Sequence, residues 1–394
     1  MEKPTSGLAF LFAGHRSRTP SIRWIDRRPP QGTTSGIRAG DCYTAAMQEP
    51  RRIKKKTKAT SMDIAHRAGV SQATVSRVLR GSPLVNADTR KRVEEAVREL
   101  NYKVDRHASS LRTQRSGTLA LLLFEDPTPD DSHINPFFLS MLGSITRACA
   151  KHGHDLLVSF QQLSDDWHAD YEDSMKADGL ILLGYGDYIA YESKLAHLVA
   201  QGTHFVRWGA VLQGQPGISI GCDNAAGGAL AGRHLMQRGR RKIAFLGDAS
   251  THFPEFFARY CGCDAALREG GLRMNPALQV DADSSEQSGY DAARALIARG
   301  HAFDAIFAAS DLIAIGAIRA LTEHGLRVPD DVAIVGFDGT PMARFSNPPL
   351  TTVVQDTSGA GELLVASLLK LVRDEPAESV TLTPTLEIRA SSGG

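Results

Sequence analysis

Residues 60–80 read TSMDIAHRAGVSQATVSRVLR, and the punctuation of that stretch decides how the N-terminal part of the chain folds. Thr60 or Ser61 offers a side-chain oxygen to cap a first helix whose apolar side carries Ile64, Ala65 and Ala68. Gly69 stands where that helix must stop and reverse. Ser71 is placed to cap a second helix with Val75, Val78 and Leu79 at i, i+3 and i+4, turned inward. Its other face leaves Gln72, Thr74, Ser76, Arg77 and Arg80 to solvent or a ligand. Two short helices around such a turn have the grammar of a helix-turn-helix, whose second helix reaches base edges in the major groove with its first turn. On that reading, base contacts rest on Gln72, Ala73 and Arg77. The alternative is an ordinary pair of surface helices, and periodicity alone does not separate the two.

Charge supports a polyanion partner for this region only. Residues 1–46 hold 7 Lys+Arg against 3 Asp+Glu, residues 47–116 hold 17 against 7, and residues 117–394 hold 21 against 34, nets of +4, +10 and −13 within a whole-chain net of +1. A short basic block ahead of a long acidic body puts any DNA contact on the block, since the body repels phosphate. The basic lead Arg51, Arg52, Lys54, Lys55, Lys56 and Lys58 is either an arm along phosphates or a solvated tail. Residues 1–46 mix Gly, Pro, Ser, Thr and Arg without a helical or strand period, so they are expected to be unstructured, dispensable, and even to precede the true translation start.

Beyond the helix-turn-helix, Asn86 is placed to cap a third helix with Val93, Ala96, Val97 and Leu100 on one stripe, closing a three-helix core. The polar segment DRHASSLRTQ at 105–114 has only Ala108 and Leu111 to bury and reads as a linker. From residue 118 onward, apolar runs alternate with helical patterns: LALLLF (119–124), DLLVSF (155–160), GLILLG (179–184), HFVRW (204–208), KIAFLG (242–247), DAIFAA (304–309), VAIVGF (332–337) and TTVVQ (351–355). Runs this continuous suit parallel strands buried on both faces, and the architecture they imply is α/β in two similar lobes. Ligands of open α/β sheets gather beyond the carboxyl ends of the strands. That rule points to 135–138 with Phe138, to Tyr185 and Asp187, to Trp208, to Asp248 and to Asp338.

Several function classes lack their residues. Cys42, Cys149, Cys222, Cys261 and Cys263 are few, odd in number and scattered, which fits free thiols in a reducing cytoplasm better than a disulfide framework or a zinc site. The acidic loop EDPTPDDSH (125–133) lacks the glycine and the spaced glutamate of a calcium loop, so no metal is expected. Neither G-x-G-x-x-G nor G-x-x-x-x-G-K-[ST] follows a strand, no cofactor is implied, and no G-x-S-x-G or H-E-x-x-H argues for an enzyme. No apolar run is long enough to span a membrane, and GLAFLFAG (7–14) is too short for an export signal, so a cytoplasmic location is expected.

The run D-I-A-x-x-A-G-V-S-x-A-T-V-S-R-V-L, residues 63–79, closely resembles the signature of the lactose-repressor (LacI/GalR) family of transcriptional regulators. The resemblance continues through NPFF, ADGLIL, SDLIAIGAIRAL, GLRVPDDVAIVGFD and NPPLTTV. It implies an all-α helix-turn-helix headpiece, a hinge, and an α/β periplasmic-binding-protein-like core with an effector in its cleft. The divisions it suggests are 47–103, 104–116 and 117–394, with lobe 1 at about 117–221 and 356–383 and lobe 2 at about 222–355 and 384–394. It also implies Leu111 as a minor-groove wedge on a near-palindromic operator, with Arg259 and Asp338 as polar anchors of the cleft. Val104 replaces the family's usual proline before the hinge, and Arg80 its usual asparagine at the end of the recognition helix.

The expected effector is a sugar. A guanidinium and a carboxylate pair with adjacent hydroxyls, Asp187, Ser284 and Ser285 supply further partners, and Phe138, Tyr185 and Trp208 offer stacking faces. Plain core packing remains the alternative for the aromatics, an internal ion pair for Arg259 and Asp338, and a purine is the runner-up ligand. A homodimer is expected, because one recognition helix covers one half-site and no heptads follow Arg389. The rival functions are a transport-type solute-binding protein and an α/β enzyme.

Overall fold

The computed structural model describes residues 59–79, 81–102, 115–124, 134–161, 165–184 and 186–393. The leader, the basic lead, Arg80, the linker with Val104 and Leu111, the acidic loop 125–133 and Tyr185 lie outside the described residues. The chain divides into two compact units, Met1–Tyr102 and Lys103–Gly394.

In the first unit, α1 (Ser61–Ala68) opens on Thr60, whose side chain accepts from the Asp63 N–H while the Asp63 carboxylate takes the Thr60 N–H, a reciprocal capping box. The hydrogen bonds from the Thr60 N–H and then from the Thr60 hydroxyl hold the Asp63 carboxyl below its ordinary pKa. Gly69 ends the helix at φ 63°, a left-handed turn suited to glycine. α2 (Gln72–Leu79) starts on Ser71, whose Oγ accepts from the Thr74 N–H, and α3 (Ala87–Glu99) starts on Asn86, whose Oδ1 accepts from the Thr89 N–H. Ile64, Ala65, Ala68, Val75, Val78, Val93 and Ala96 form the core, with Val97 and Leu100 packed at its margin. Leu79, expected inward, is 37 % exposed. It sits on the last residue of α2, beyond the reach of the core that Val75 and Val78 fill.

The second unit holds two six-stranded sheets built on one plan. With strands numbered β1 (Thr118–Leu123), β2 (Asp155–Phe160), β3 (Leu180–Leu183), β4 (Phe205–Trp208), β5 (Ile218–Cys222), β6 (Ile243–Leu246), β7 (Gln279–Val280), β8 (Ala305–Ala308), β9 (Ala333–Asp338), β10 (Thr351–Val354), β11 (Val380–Leu382) and β12 (Thr385–Glu387), the sheets run β2-β1-β3-β4-β5-β11 and β7-β6-β8-β9-β10-β12. Each order reverses beside its first strand, which opens a crevice at the strand ends. Every pairing is parallel except β10 with β12. β11 returns to the first sheet and β12 to the second, so each lobe is completed by the C-terminal stretch.

All eight apolar runs are strands, and four short strands, β5, β7, β11 and β12, were not among them. β2 is not buried on both faces: Leu157 and Val158 are exposed, because β2 is an edge strand. Helices α4 (Pro136–Lys151), α5 (Tyr188–Gln201), α6 (Asn224–Gln237), α7 (Pro254–Glu269), α8 (Glu286–Ala298), α9 (Asp311–Glu323), α10 (Met342–Phe345) and α11 (Thr357–Val372) supply the crossovers. α6 and α7 pack backbone to backbone: a Cβ on Gly228 would strike the Arg259 carbonyl, and one on Gly262 the Ala225 carbonyl. Gly289 and Gly316 seat α8 on α9 in the same way.

Candidate functional site

In the three-helix unit, capping and core packing leave one face of α2 outward. Gln72, Ala73 and Arg77 are exposed, and Thr74 and Ser76 are half-buried. Gln72 Nε2 donates to Ser61 Oγ at 2.8 Å, which ties the first turn of α2 to the start of α1. Ser71 Oγ also meets Thr74 Oγ1 at 2.9 Å. Arg77 has no ion-pair partner among the described residues and carries its guanidinium on the open face.

In the two-lobed unit the strand ends of both sheets face one cleft, and hydrogen bonds close it. The Tyr188 N–H donates to the His252 carbonyl at 2.8 Å, His252 Nδ1 pairs with Asp187 Oδ2 at 2.9 Å, Asn135 Nδ2 donates to Ser284 Oγ at 3.0 Å, and the Ala210 N–H donates to Glu255 Oε1 at 2.6 Å. Asp187 therefore works as a latch and as the cap of α5, with Oδ1 accepting from the N–H groups of Ile189 and Ala190. The bond from His252 and then that from Ala190 hold its carboxyl below the ordinary value.

Arg259 and Asp338 lie together, fully buried. Arg259 comes from the middle of α7, and Nη1 stands 3.7 Å from Asp338 Oδ1 with the two side chains 0 % and 1 % exposed. Arg259 Nε donates to Asn224 Oδ1 at 2.8 Å, Nη1 donates to the Ala309 carbonyl, and the guanidinium lies 3.8 Å over the Phe337 ring. Asp338 ends β9 at φ 116°, a costly conformation for a residue with a Cβ, and accepts from Gln355 Nε2 at 2.8 Å. Burial pushes its carboxyl up, against the downward pull of Arg259. The neighbouring Asp311 is raised by burial too, and accepts from Thr352 Oγ1, the Thr340 N–H and Thr340 Oγ1.

The cleft is divided into separate cavities, and the residues expected from the sequence are shared among them. One of about 680 Å³ is lined by Asp187, Ser284 and Ser285, with Asp281, Asp283 and Asp291 alongside. Ser285 Oγ caps α8, and Ser284 Oγ accepts from Asn135. A second, of about 480 Å³, is bordered by Asp338, Gln355, Thr340 and Phe137. Phe137 faces it, while Phe138 packs edge-on to Phe137 in the core at 4 % exposure. A third, of about 30 Å³, lies beside Trp208, with Phe124, Gln161, Tyr188, Tyr191 and Arg207 of lobe 1 and Glu255 of lobe 2 in its wall. Asp248, also suggested by strand ends, lines none of the three.

Arg207, Glu255, Gln161 and Gln355 were not singled out from the sequence. For Arg207 a signal exists, a charge inside the apolar strand FVRW, and the structure explains it: Nε donates to Ser219 Oγ, and Nη2 to the Ala210 carbonyl and Gln215 Oε1. Glu255, in the first turn of α7, carries no such mark. Among the described residues no group of three or more His, Cys, Asp or Glu side chains is arranged to hold a metal ion, and no helix is long and apolar enough to cross a membrane.

Comparison with known proteins agrees with this layout. Residues 60–105 match the model described as bacterial regulatory proteins, lacI family, and residues 233–392 match a periplasmic binding protein-like domain. The HTH-type transcriptional regulator RegA of Clostridium saccharobutylicum is 32 % identical over 331 residues, covering 81 % of this chain and 95 % of the relative. The ribose operon repressor of Haemophilus influenzae is 30 % identical over 84 % of this chain and 98 % of its own. Among solved structures, the Lac repressor dimer bound to operator and the anti-inducer ONPF aligns with a TM-score of 0.70 at 27 % identity, covering 85 % of this chain and 99 % of that one. A transcriptional regulator CelR–cellobiose complex aligns at 0.62 with 30 % identity, over 84 % and 99 %. With a capped helix-turn-helix, two sheets of one strand order and full-length relatives of this kind, the chain belongs to the LacI family of bacterial transcriptional regulators.

Proposed function

We propose that the protein is a repressor that binds a near-palindromic operator as a homodimer and changes its grip when a sugar enters the cleft of its core. The observation that carries the DNA half is the outward face of α2, where Gln72, Ala73 and Arg77 stand exposed on a helix fixed by Ser71 and by the bond to Ser61. The net charge of +10 over residues 47–116, against −13 over 117–394, places phosphate affinity on the same part of the chain. Ser71, Thr74, Ser76 and Arg80 then serve backbone positioning, and Leu111 the minor-groove wedge, as the family resemblance implies. On this reading the chain is a reader at 47–103, a hinge at 104–116 and a two-lobed regulator at 117–394, acting in the cytoplasm and without catalysis of its own.

For the effector, the support is the buried pair Arg259 and Asp338. Its separation of 3.7 Å is longer than a hydrogen bond, so sugar hydroxyls that accept from the guanidinium and donate to the carboxylate gain a pre-organised clamp when the lobes part. CelR is solved as a complex with cellobiose and the ribose operon repressor carries ribose in its name, which agrees with this class. A transport role is disfavoured, because such a protein has no use for the helix-turn-helix.

The test is operator binding by fluorescence anisotropy against salt, with and without a sugar panel. Arg77→Ala is expected to lose about 1–3 kcal/mol of discrimination at one base pair of each half-site. Equal losses on every DNA sequence would make Arg77 a phosphate contact. A panel of sugars that leaves both operator affinity and core melting temperature unchanged would end the sugar reading.

A further inference from the structure

One side-chain bond joins the start of α1 to the start of α2, and the residue that accepts it is released for that task by its neighbour. Thr60 and Ser61 both offer an oxygen for the cap of α1, and the structure gives the cap to Thr60, through its reciprocal box with Asp63. The hydroxyl of Ser61 is therefore not used in the cap. Ser61 Oγ accepts instead from Gln72 Nε2 at 2.8 Å, from a residue eleven positions further along the chain. The hydroxyls nearer to Gln72 are engaged with each other, since Ser71 Oγ accepts from the Thr74 N–H and meets Thr74 Oγ1. Gln72 is exposed at the first position of α2, and the bond to Ser61 is the one hydrogen bond of its side chain among the described residues.

A glutamine amide has two ends of opposite character, Oε1 that accepts and Nε2 that donates twice. Its terminal torsion is broad and roughly two-fold, so a free side chain offers either end to a base. Ser61 removes that freedom. With one N–H given to Ser61, the amide keeps Oε1 and one N–H for the groove. Adenine presents the matching pair, an N6 donor beside the N7 acceptor, whereas cytosine offers a donor alone, guanine two acceptors, and thymine an acceptor beside a methyl group. Resting on the reading of α2 as the base reader, we propose that Ser61 is a positioning residue that fixes the direction of the Gln72 amide and thereby makes Gln72 select adenine. Ser61 acts through Gln72 and not on the DNA. The orientation is set before DNA arrives, so less freedom is lost on binding. A neutral hydrogen bond favours one of two such orientations about 2- to 10-fold, which sets the size of the effect.

The test uses the full-length protein. Selection from a randomised palindromic duplex gives the operator, and fluorescence anisotropy then compares operators changed at one symmetric base pair. The parent is expected to prefer adenine at a base pair where Gln72→Ala loses the preference. Ser61→Ala should lower that adenine preference about 2- to 10-fold. Ser61→Thr, which keeps the hydroxyl, should restore it. In the Gln72→Ala background Ser61→Ala should change no base preference further. A merely structural role would lower the melting temperature or weaken readout at the base pair that Arg77→Ala affects, and neither should move in Ser61→Ala. An adenine preference in Ser61→Ala equal to that of the parent would overturn the proposal. So would an effect of Ser61→Ala that persists without Gln72, which would make Ser61 a DNA contact itself, and so would a preference for guanine or thymine at the Gln72 base pair, which would mean that the amide stands reversed. If Gln72→Ala alters no base preference while Arg77→Ala does, Gln72 is not a base contact and the proposal fails with α2 still the reader. If neither alters any, the reading of α2 fails as well.

Discussion

The two lobes share one strand order, but they spend their interiors differently. Lobe 2 buries charge and lets backbones touch: Arg259, Asp311 and Asp338 are at most 2 % exposed, and Gly228, Gly262, Gly289 and Gly316 bring helix against helix with no room for a methyl group. Lobe 1 has one such glycine between helices, Gly361 of α11 against Ser144 and Ile145 of α4, holds Arg207 among three hydrogen bonds, and leaves β2 as an exposed edge. The difference teaches that topology fixes where a cleft lies, while the choice between close backbone contact and side-chain filling sets how much each wall yields. Lobe 2 seats two helix pairs at backbone contact, where lobe 1 seats one.

Removing a buried charge from lobe 2 should break that contrast most strongly. Arg259→Ala leaves Asp338 buried without its partner and Asn224 Oδ1 without its donor, so chemical denaturation should show a loss of about 3–5 kcal/mol, together with loss of any effector response. A loss below ~1 kcal/mol would mean that the pair is dispensable to the fold.

A single methyl group should test the close helix contacts next. Gly262→Ala drives a Cβ into the Ala225 carbonyl and should cost about 3 kcal/mol. The control is Gly143→Ala in α4 of lobe 1, where nothing lies within 4 Å of the new Cβ and helix propensity should give a gain of about 0.5–1 kcal/mol. Similar effects at both sites would mean that the α6–α7 contact at Gly262 yields to a methyl group.

The smallest effect concerns pH. His234 of α6 is buried and meets Ser392 Oγ at 2.7 Å, and burial, then Arg238, lowers its pKa. Since the unfolded chain takes up the proton first, this histidine's contribution is present above its ordinary value of about 6.5 and is lost as pH falls below it. Melting curves from pH 8 to pH 5 should fall less steeply for His234→Gln than for the parent. Parallel curves would remove His234 from the account.

Local elements were legible in the sequence because their causes are local. Thr60, Gly69, Ser71 and Asn86 punctuate the three helices by themselves, and eight unbroken apolar runs marked eight strands. β5, β7, β11 and β12 were not legible: they are two to five residues long and owe their conformation to a neighbour, as β11 owes its to β5 about 160 residues earlier. The cleft divides in the same way. Strand ends pointed to Trp208, Asp187 and Asp338, which do line cavities, whereas nothing near Glu255 announces that it will meet the Ala210 N–H. Phe138 and Phe137 alternate around α4, and only packing decides which of the two faces open space.

The return of β11 and β12 to separate sheets also fixes an order of events on the ribosome. The first lobe cannot finish its sheet until residues 380–382 have been made, and Arg115 waits for the Val372 carbonyl. The three-helix unit closes its core entirely among residues 64–102. Low contact order lets that unit fold early, while the regulator, with pairings across most of its length, completes only near release. The nascent chain therefore carries a finished DNA reader before it carries any device to control it.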